Sequence, residues 1–168
     1  FFNEKYVGGI NSFTKGLING LIRNINKKEK IVIYTIHNIT GINKNGQVKI
    51  KKIPKYYLYF FKLIKILTIF GNIKLIYFLI SLFFFKIKLT IEDECDIFYC
   101  PISYLLPLNL KIKTITSVHD IQFVHYPEYF SFYQRKVQNI MFKLTFNHSD
   151  NIQVNSKFIE TDLIKNFK

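Results

Sequence analysis

Three short strand-like runs constrain this chain most: CDIFYCP at 95–101, the β-branched KTITSV at 113–118 and DNIQV at 150–154. Each ends in a change of texture, at Pro101, at His119-Asp120 and at Asn155-Ser156. Between the second and third runs lies YQRKVQNIMFKLTFN (133–147), which reads as a helix. After the third, SKFIETDLIKNF sets Phe158, Ile159, Leu163, Ile164 and Phe167 at helical spacing, behind Ser156 as a suitable N-cap. Strands that alternate with helices predict an α/β fold with a Rossmann-like, doubly wound, mainly parallel sheet. In such sheets ligands collect outside the carboxyl ends of the strands. Pro101, His119, Asp120, Asn155 and Ser156 all fall there.

The first part of the chain extends the same plan. Residues 10–25 place Ile10, Phe13, Leu17, Leu21 and Ile25 on one helical stripe, widened by Ile18 and Ile22. KIVIYTIH (30–37) reads as a strand buried on both faces, and VKIKKI (48–53) alternates as a strand at a sheet edge would. A single domain over residues 1–168 is the expectation, since a domain of about 150 residues buries roughly 70% of its unfolded surface.

Composition bears on partners. Lys and Arg number 24 against 11 Asp and Glu, a formal charge of +13 that favours phosphate-bearing ligands or an anionic membrane surface. Ala is absent and Ile, Lys, Asn and Phe are abundant, so part of that charge reflects a lysine- and isoleucine-biased genome. The lysines are scattered through apolar segments instead of forming a basic face interleaved with aromatics, so nucleic acid is not an expected partner. Cys95 and Cys100 have no second pair to complete a zinc site and read as buried thiols of a reducing compartment.

Residues 55–89 are rich in aromatics and isoleucine, yet Lys62, Lys65, Lys74, Lys86 and Lys88 interrupt them. The longest uncharged stretch, Leu75 to Phe85, falls far short of the 18 or more residues that a membrane span needs. A helix, or a helix pair broken near Gly71-Asn72, is expected, buried on one side and resting on a bilayer surface by its aromatic and lysine residues. The acidic EDE at 92–94 reads as a solvated loop.

Two constellations carry candidate chemistry. Gly8 and Gly9 stand just before the first helix, where a bare backbone and a helix N-terminus suit an anion; a plain tight turn is the competing reading. His119 and Asp120 close the second run, with His125, Glu128 and His148 beyond. Their spacing matches no helical zinc pattern, and Pro127 breaks the periodicity such patterns require, so no metal is expected. His119 faces a ligand or closes the loop by bonding Asp120, while His125 and His148 read as surface or partner-bonded histidines. No nucleophile elbow, hydrolase triad or glycosidase carboxylate pair is present.

The ordered set GGINSFTKGLINGL, DIFYCPISYLLP, TSVHDIQFVHYPEYFS and NIQVNSKFIETDLIKNF resembles the N-terminal domain of retaining glycosyltransferases of the group-1 class, family 4, which have the two-domain GT-B fold. The likeness is to bacterial mannosyltransferase-like enzymes of cell-surface polysaccharide synthesis. It covers most of the chain and is weakest over 48–89. The resemblance implies that Gly8 and Gly9 lie near the donor diphosphate and that His119 contacts the donor sugar with Asp120 beside it; Ser156 caps the last helix near the cleft. It implies a nucleotide-diphosphate sugar as donor substrate, a glycan or lipid-linked acceptor, no cofactor and no bound metal, with positive groups and helix dipoles stabilising the departing diphosphate. It further implies a cytoplasmic enzyme, peripheral on the inner face of the cell membrane. The donor-binding C-terminal domain lies outside these residues, so the chain reads as an incomplete fragment, truncated before residue 1 and after residue 168 and inactive alone. The alternative is a non-catalytic, membrane-associated binding or scaffold domain with the same Rossmann-like shell.

Overall fold

The alternation of strands and helices is what the computed structural model shows: a mixed α/β chain with short parallel sheets. Residues 9–36, 46–57, 59–60 and 73–167 are described. They belong to two units, residues 1–59 and 60–168.

In the first unit, α1 (Gly9–Asn24) follows the predicted stripe with its phase rotated. Thr14 and Ile22 are buried whereas Leu21 is 47% exposed, so the inward row is Thr14, Ile18 and Ile22. Strands β1 (Ile31–Thr35) and β2 (Val48–Lys52) pair in parallel, from Ile31 against Val48 to Thr35 against Lys52. β1 was expected to be buried on both faces. With one neighbour among the described residues it is half-buried from Ile31 to Tyr34 and buried at Thr35. The Gln47 side chain donates to the carbonyls of Asn26 and Glu29, at 2.6 and 3.1 Å, and ties the turn after α1 to the start of β2.

The second unit includes α2 (Ile73–Phe83) and α3 (Phe85–Glu94), divided at Phe84. The break expected near Gly71-Asn72 lies outside the described residues. Ile76, Ile80, Phe84 and Ile91 are buried along one row. The EDE stretch is not a loop but the last turn of α3, because Ile91 continues the buried row. Glu92 accepts from the Lys111 N–H at 2.6 Å and lies 3.8 Å from Lys88 Nζ.

The three opening runs become β3 (Ile97–Cys100), β4 (Lys113–Val118) and β5 (Asn151–Val154), one parallel sheet in the order β3-β4-β5. Their register pairs Cys100 with Thr116 and Val118 with Val154. Between β4 and β5 run α4 (Gln122–His125), a 3₁₀ turn (Pro127–Tyr129) and α5 (Phe132–His148); α6 (Lys157–Phe167) follows β5. α5 starts at a capping box in which Ser131 Oγ accepts from the Gln134 N–H and the Gln134 side chain accepts from the Ser131 N–H.

Alternation along the strands separates two faces. On one, Val118, Ile152 and Val154 pack with Phe123, Phe142, Leu163 and Phe167 of the helices into the core. Phe142 stacks on Phe167 at 5.2 Å and meets Tyr104 edge-on at 5.4 Å. On the other face, Tyr99, Ser117 and Gln153 bond one another across all three strands. Buried Thr145 accepts from the Leu105 N–H at 3.0 Å, pinning the loop after β3 to α5. At the amino edge, Asp150 Oδ2 accepts from both the N–H and the hydroxyl of Thr114, at 2.8 and 2.9 Å. Those bonds hold its carboxyl below the usual range. Tyr77 stacks on His148 at 5.0 Å, joining α2 to the end of α5.

Two outcomes test this packing. Phe142→Ala is expected to lower unfolding free energy by about 3–5 kcal/mol, because a centrally packed ring leaves a cavity; urea titration followed by circular dichroism measures it. Burial lowers the His148 pKa from its ordinary 6.5, so its contribution is full above that value and is lost as pH falls through the lowered one. A plot of stability against pH should therefore slope downward on acidification, and His148→Phe should remove that part of the slope. The Asp150 contribution, also from a lowered pKa, is lost at lower pH, in the carboxylate range.

Candidate functional site

Because β3, β4 and β5 are parallel, the residues after each strand gather on one edge. Pro101 follows β3, His119 and Asp120 follow β4, and Asn155 and Ser156 follow β5. His119 Nε2 lies 3.0 Å from the Pro101 carbonyl oxygen. A carbonyl only accepts, so Nε2 carries a proton and donates. The bond ties the end of β4 to that of β3. Asp120 Oδ1 accepts from the Gln122 N–H at 3.4 Å, a local turn that starts α4.

Asp120 also borders an open cavity of about 360 Å³, with Gln122, His125, Tyr126, Phe158 and Ile159. This volume is at the small end of the roughly 300–1,000 Å³ typical of ligand pockets. Its wall mixes a carboxylate, an amide and an imidazole with exposed aromatic rings. Tyr126 is 54% and Phe158 68% exposed. Behind the wall, His125 Nε2 bonds Oδ2 of the buried Asp162, whose other oxygen accepts from Asn166 Nδ2 at 3.1 Å. A buried carboxylate needs such partners. It orients the imidazole and fixes α4 to α6, with the ring Nε2–H as donor to the carboxylate.

Electrostatics sort the remaining candidates. The Tyr104 phenol is pushed up to about 12, first by burial and then by the Asp120 charge, so it stays protonated. Burial raises the Cys100 thiol, which donates to the carbonyls of Tyr104 and Ile102 at 3.2 and 3.5 Å. A protonated, engaged thiol is not a nucleophile. Cys95, read as buried, is half-buried. Among the described residues, no three His, Cys, Asp or Glu side chains converge on a metal-sized space.

Of the predicted residues, His119, Asp120 and Ser156 share the carboxyl edge of one sheet. Ser156 is the N-cap of α6, accepting from the Ile159 N–H at 3.2 Å. Asp120 alone of the three lines the cavity. Gly9 is the first residue of α1, in the other unit, with open space where a Cβ would stand; Gly8 lies outside the described residues. His125 is the partner-bonded histidine it was expected to be. Asp162 went unnoticed, although a carboxylate beside Leu163 on a helix's apolar stripe signals a buried partner. Compared with protein-family models, curated proteins and solved structures, the chain matches none.

Asp162→Ala should release the exposed His125 ring to water and lower stability by about 0.5–1.5 kcal/mol, the net worth of a typical hydrogen bond. Nitrogen shifts of the His125 ring, read by NMR, should report a protonated, hydrogen-bonded Nε2 in the parent chain and the loss of that bond in the variant.

Proposed function

We propose that this chain is the N-terminal, acceptor-side half of a retaining glycosyltransferase of GT-B type, a Rossmann-like domain. It would serve transfer of a hexose, mannose for example, from a nucleotide-diphosphate sugar to a glycan or lipid-linked acceptor at the cytoplasmic face of a membrane. The observation that carries the reading is the shared carboxyl edge of β3, β4 and β5, which holds His119 and Asp120, the latter bordering a cavity walled by polar groups and exposed rings. The ordered motifs of the sequence agree with it.

In this reading the His119 imidazole, held by the Pro101 carbonyl, contacts the donor sugar near the carbon under attack. Aromatic rings such as Tyr126 and Phe158 give a hexose a stacking surface, and the Asp120 and Gln122 side chains bond its hydroxyls. Gly8 and Gly9 keep the donor-phosphate role that the resemblance implies, and α1, which begins at Gly9, has the helix N–H groups such a role needs. Ser156 keeps a structural role at α6. The donor domain completes the site and carries most of the nucleotide contacts.

The test uses the protein encoded by the whole gene. His119→Ala should lower kcat by about a hundredfold or more while the thermal midpoint stays within a few degrees of the parent. Undiminished transfer in that variant, or no transfer by the parent from any nucleotide sugar offered, would sink the proposal.

A further inference from the structure

We infer that helices α2 and α3 present a docking face for an anionic bilayer and lie along its surface. This goes beyond glycosyl transfer and does not rest on it. Phe78, Leu82, Phe85 and Leu89 follow one another by steps of three and four, the spacing of a single helix face, and are exposed to 58%, 63%, 54% and 43%. Leu75, 43% exposed, begins the row. The opposite row, Ile76, Ile80, Phe84 and Ile91, is no more than 2% exposed. The helix pair thus has two apolar faces, one consumed by the fold and one turned to solvent. A contiguous exposed row of this kind marks an interaction surface.

The division at Phe84 does not scatter the row. Phe84 N–H donates to the Ile80 carbonyl at 3.0 Å and Lys88 N–H to the Phe84 carbonyl at 2.9 Å, so the helical ladder continues through it. Helical spacing then sets the exposed Lys74 and Lys86 on either side of the row. Leucine and phenylalanine rimmed by lysine is the composition of helices that lie in a membrane interface. Asp93 and Glu94 stand beyond its far end.

Steps of three and four also suit a coiled-coil seam, so a second copy of the chain is the rival occupant. Charge decides between them. At +13, two copies meet with like charge, whereas an anionic lipid surface attracts the same lysines. The buried row fixes the posture: helices with one side inside the protein rest on a bilayer and are not surrounded by it.

Flotation of the full chain with vesicles tests this. Binding is expected to phosphatidylcholine–phosphatidylglycerol vesicles at about 0.1 M salt. It should weaken strongly at about 1 M, where the Debye length falls from roughly 10 Å to roughly 3 Å. The triple variant F78S/L82S/F85S should keep its circular dichroism and lose affinity by about a hundredfold or more. K74E/K86E, which leaves the apolar row intact, should lose about tenfold at low salt. The inference is overturned if the triple variant floats like the parent, or if vesicles of phosphatidylcholine alone bind as well as anionic ones. It is also overturned if binding withstands both high salt and alkaline extraction, or if sedimentation finds a dimer that the triple variant dissociates while the parent does not float.

Discussion

The parallel register of β3, β4 and β5 is the constraint from which the second unit follows. Parallel strands cannot be joined by tight hairpins, so each must be left by a connection that travels back along the sheet. Every strand therefore releases its chain at the same edge. The Thr114–Asp150 bonds close the amino edge. The carboxyl edge gathers His119, Asp120, Asn155 and Ser156, residues far apart in sequence. Phe142 and its neighbours then bury one face, and two of the helices they belong to, α4 and α6, frame the cavity.

Much of this was legible in the residues themselves. KTITSV is a strand to the residue, because β-branched side chains fit a pleated sheet and His119-Asp120 introduces a turn. Ser156 is the N-cap that its place before an apolar stripe foretold. The capping box of Ser131 and Gln134 is a feature of the structure that the sequence reading did not use, and it sets the start of α5 one residue before Tyr133. Helical phase was harder to read. Thr14 lies inward and Leu21 outward in α1, and Phe158 and Ile164 point to solvent although they extend the apolar stripe of α6. Side-chain type gives a helix an apolar side, but neighbouring elements decide which part of it they cover.

The site divides along the same line. Strand ends could be located from sequence, so His119 and Asp120 could be placed on the edge that ligands use. The partner of a side chain is a tertiary fact. His125 and Asp162 are brought together by the crossover between β4 and β5, and His119 bonds a carbonyl at the end of a different strand and not its neighbour Asp120. Local pattern carries no record of such pairs, except that a lone carboxylate in an apolar stripe must have one.

The trio of Tyr99, Ser117 and Gln153 has a consequence for how the sheet assembles. A slip of one residue between two strands turns every side chain of the slipped strand to the opposite face. Such a slip would separate the hydroxyls from the amide oxygen that Tyr99 and Ser117 approach at 2.6 and 2.9 Å. Apolar contacts on the core face tolerate some misalignment; directional bonds spanning all three strands do not. The trio thus acts as a parity check on strand alignment. Burial raises the Tyr99 phenol and keeps its proton in place, so the check persists into alkaline solution.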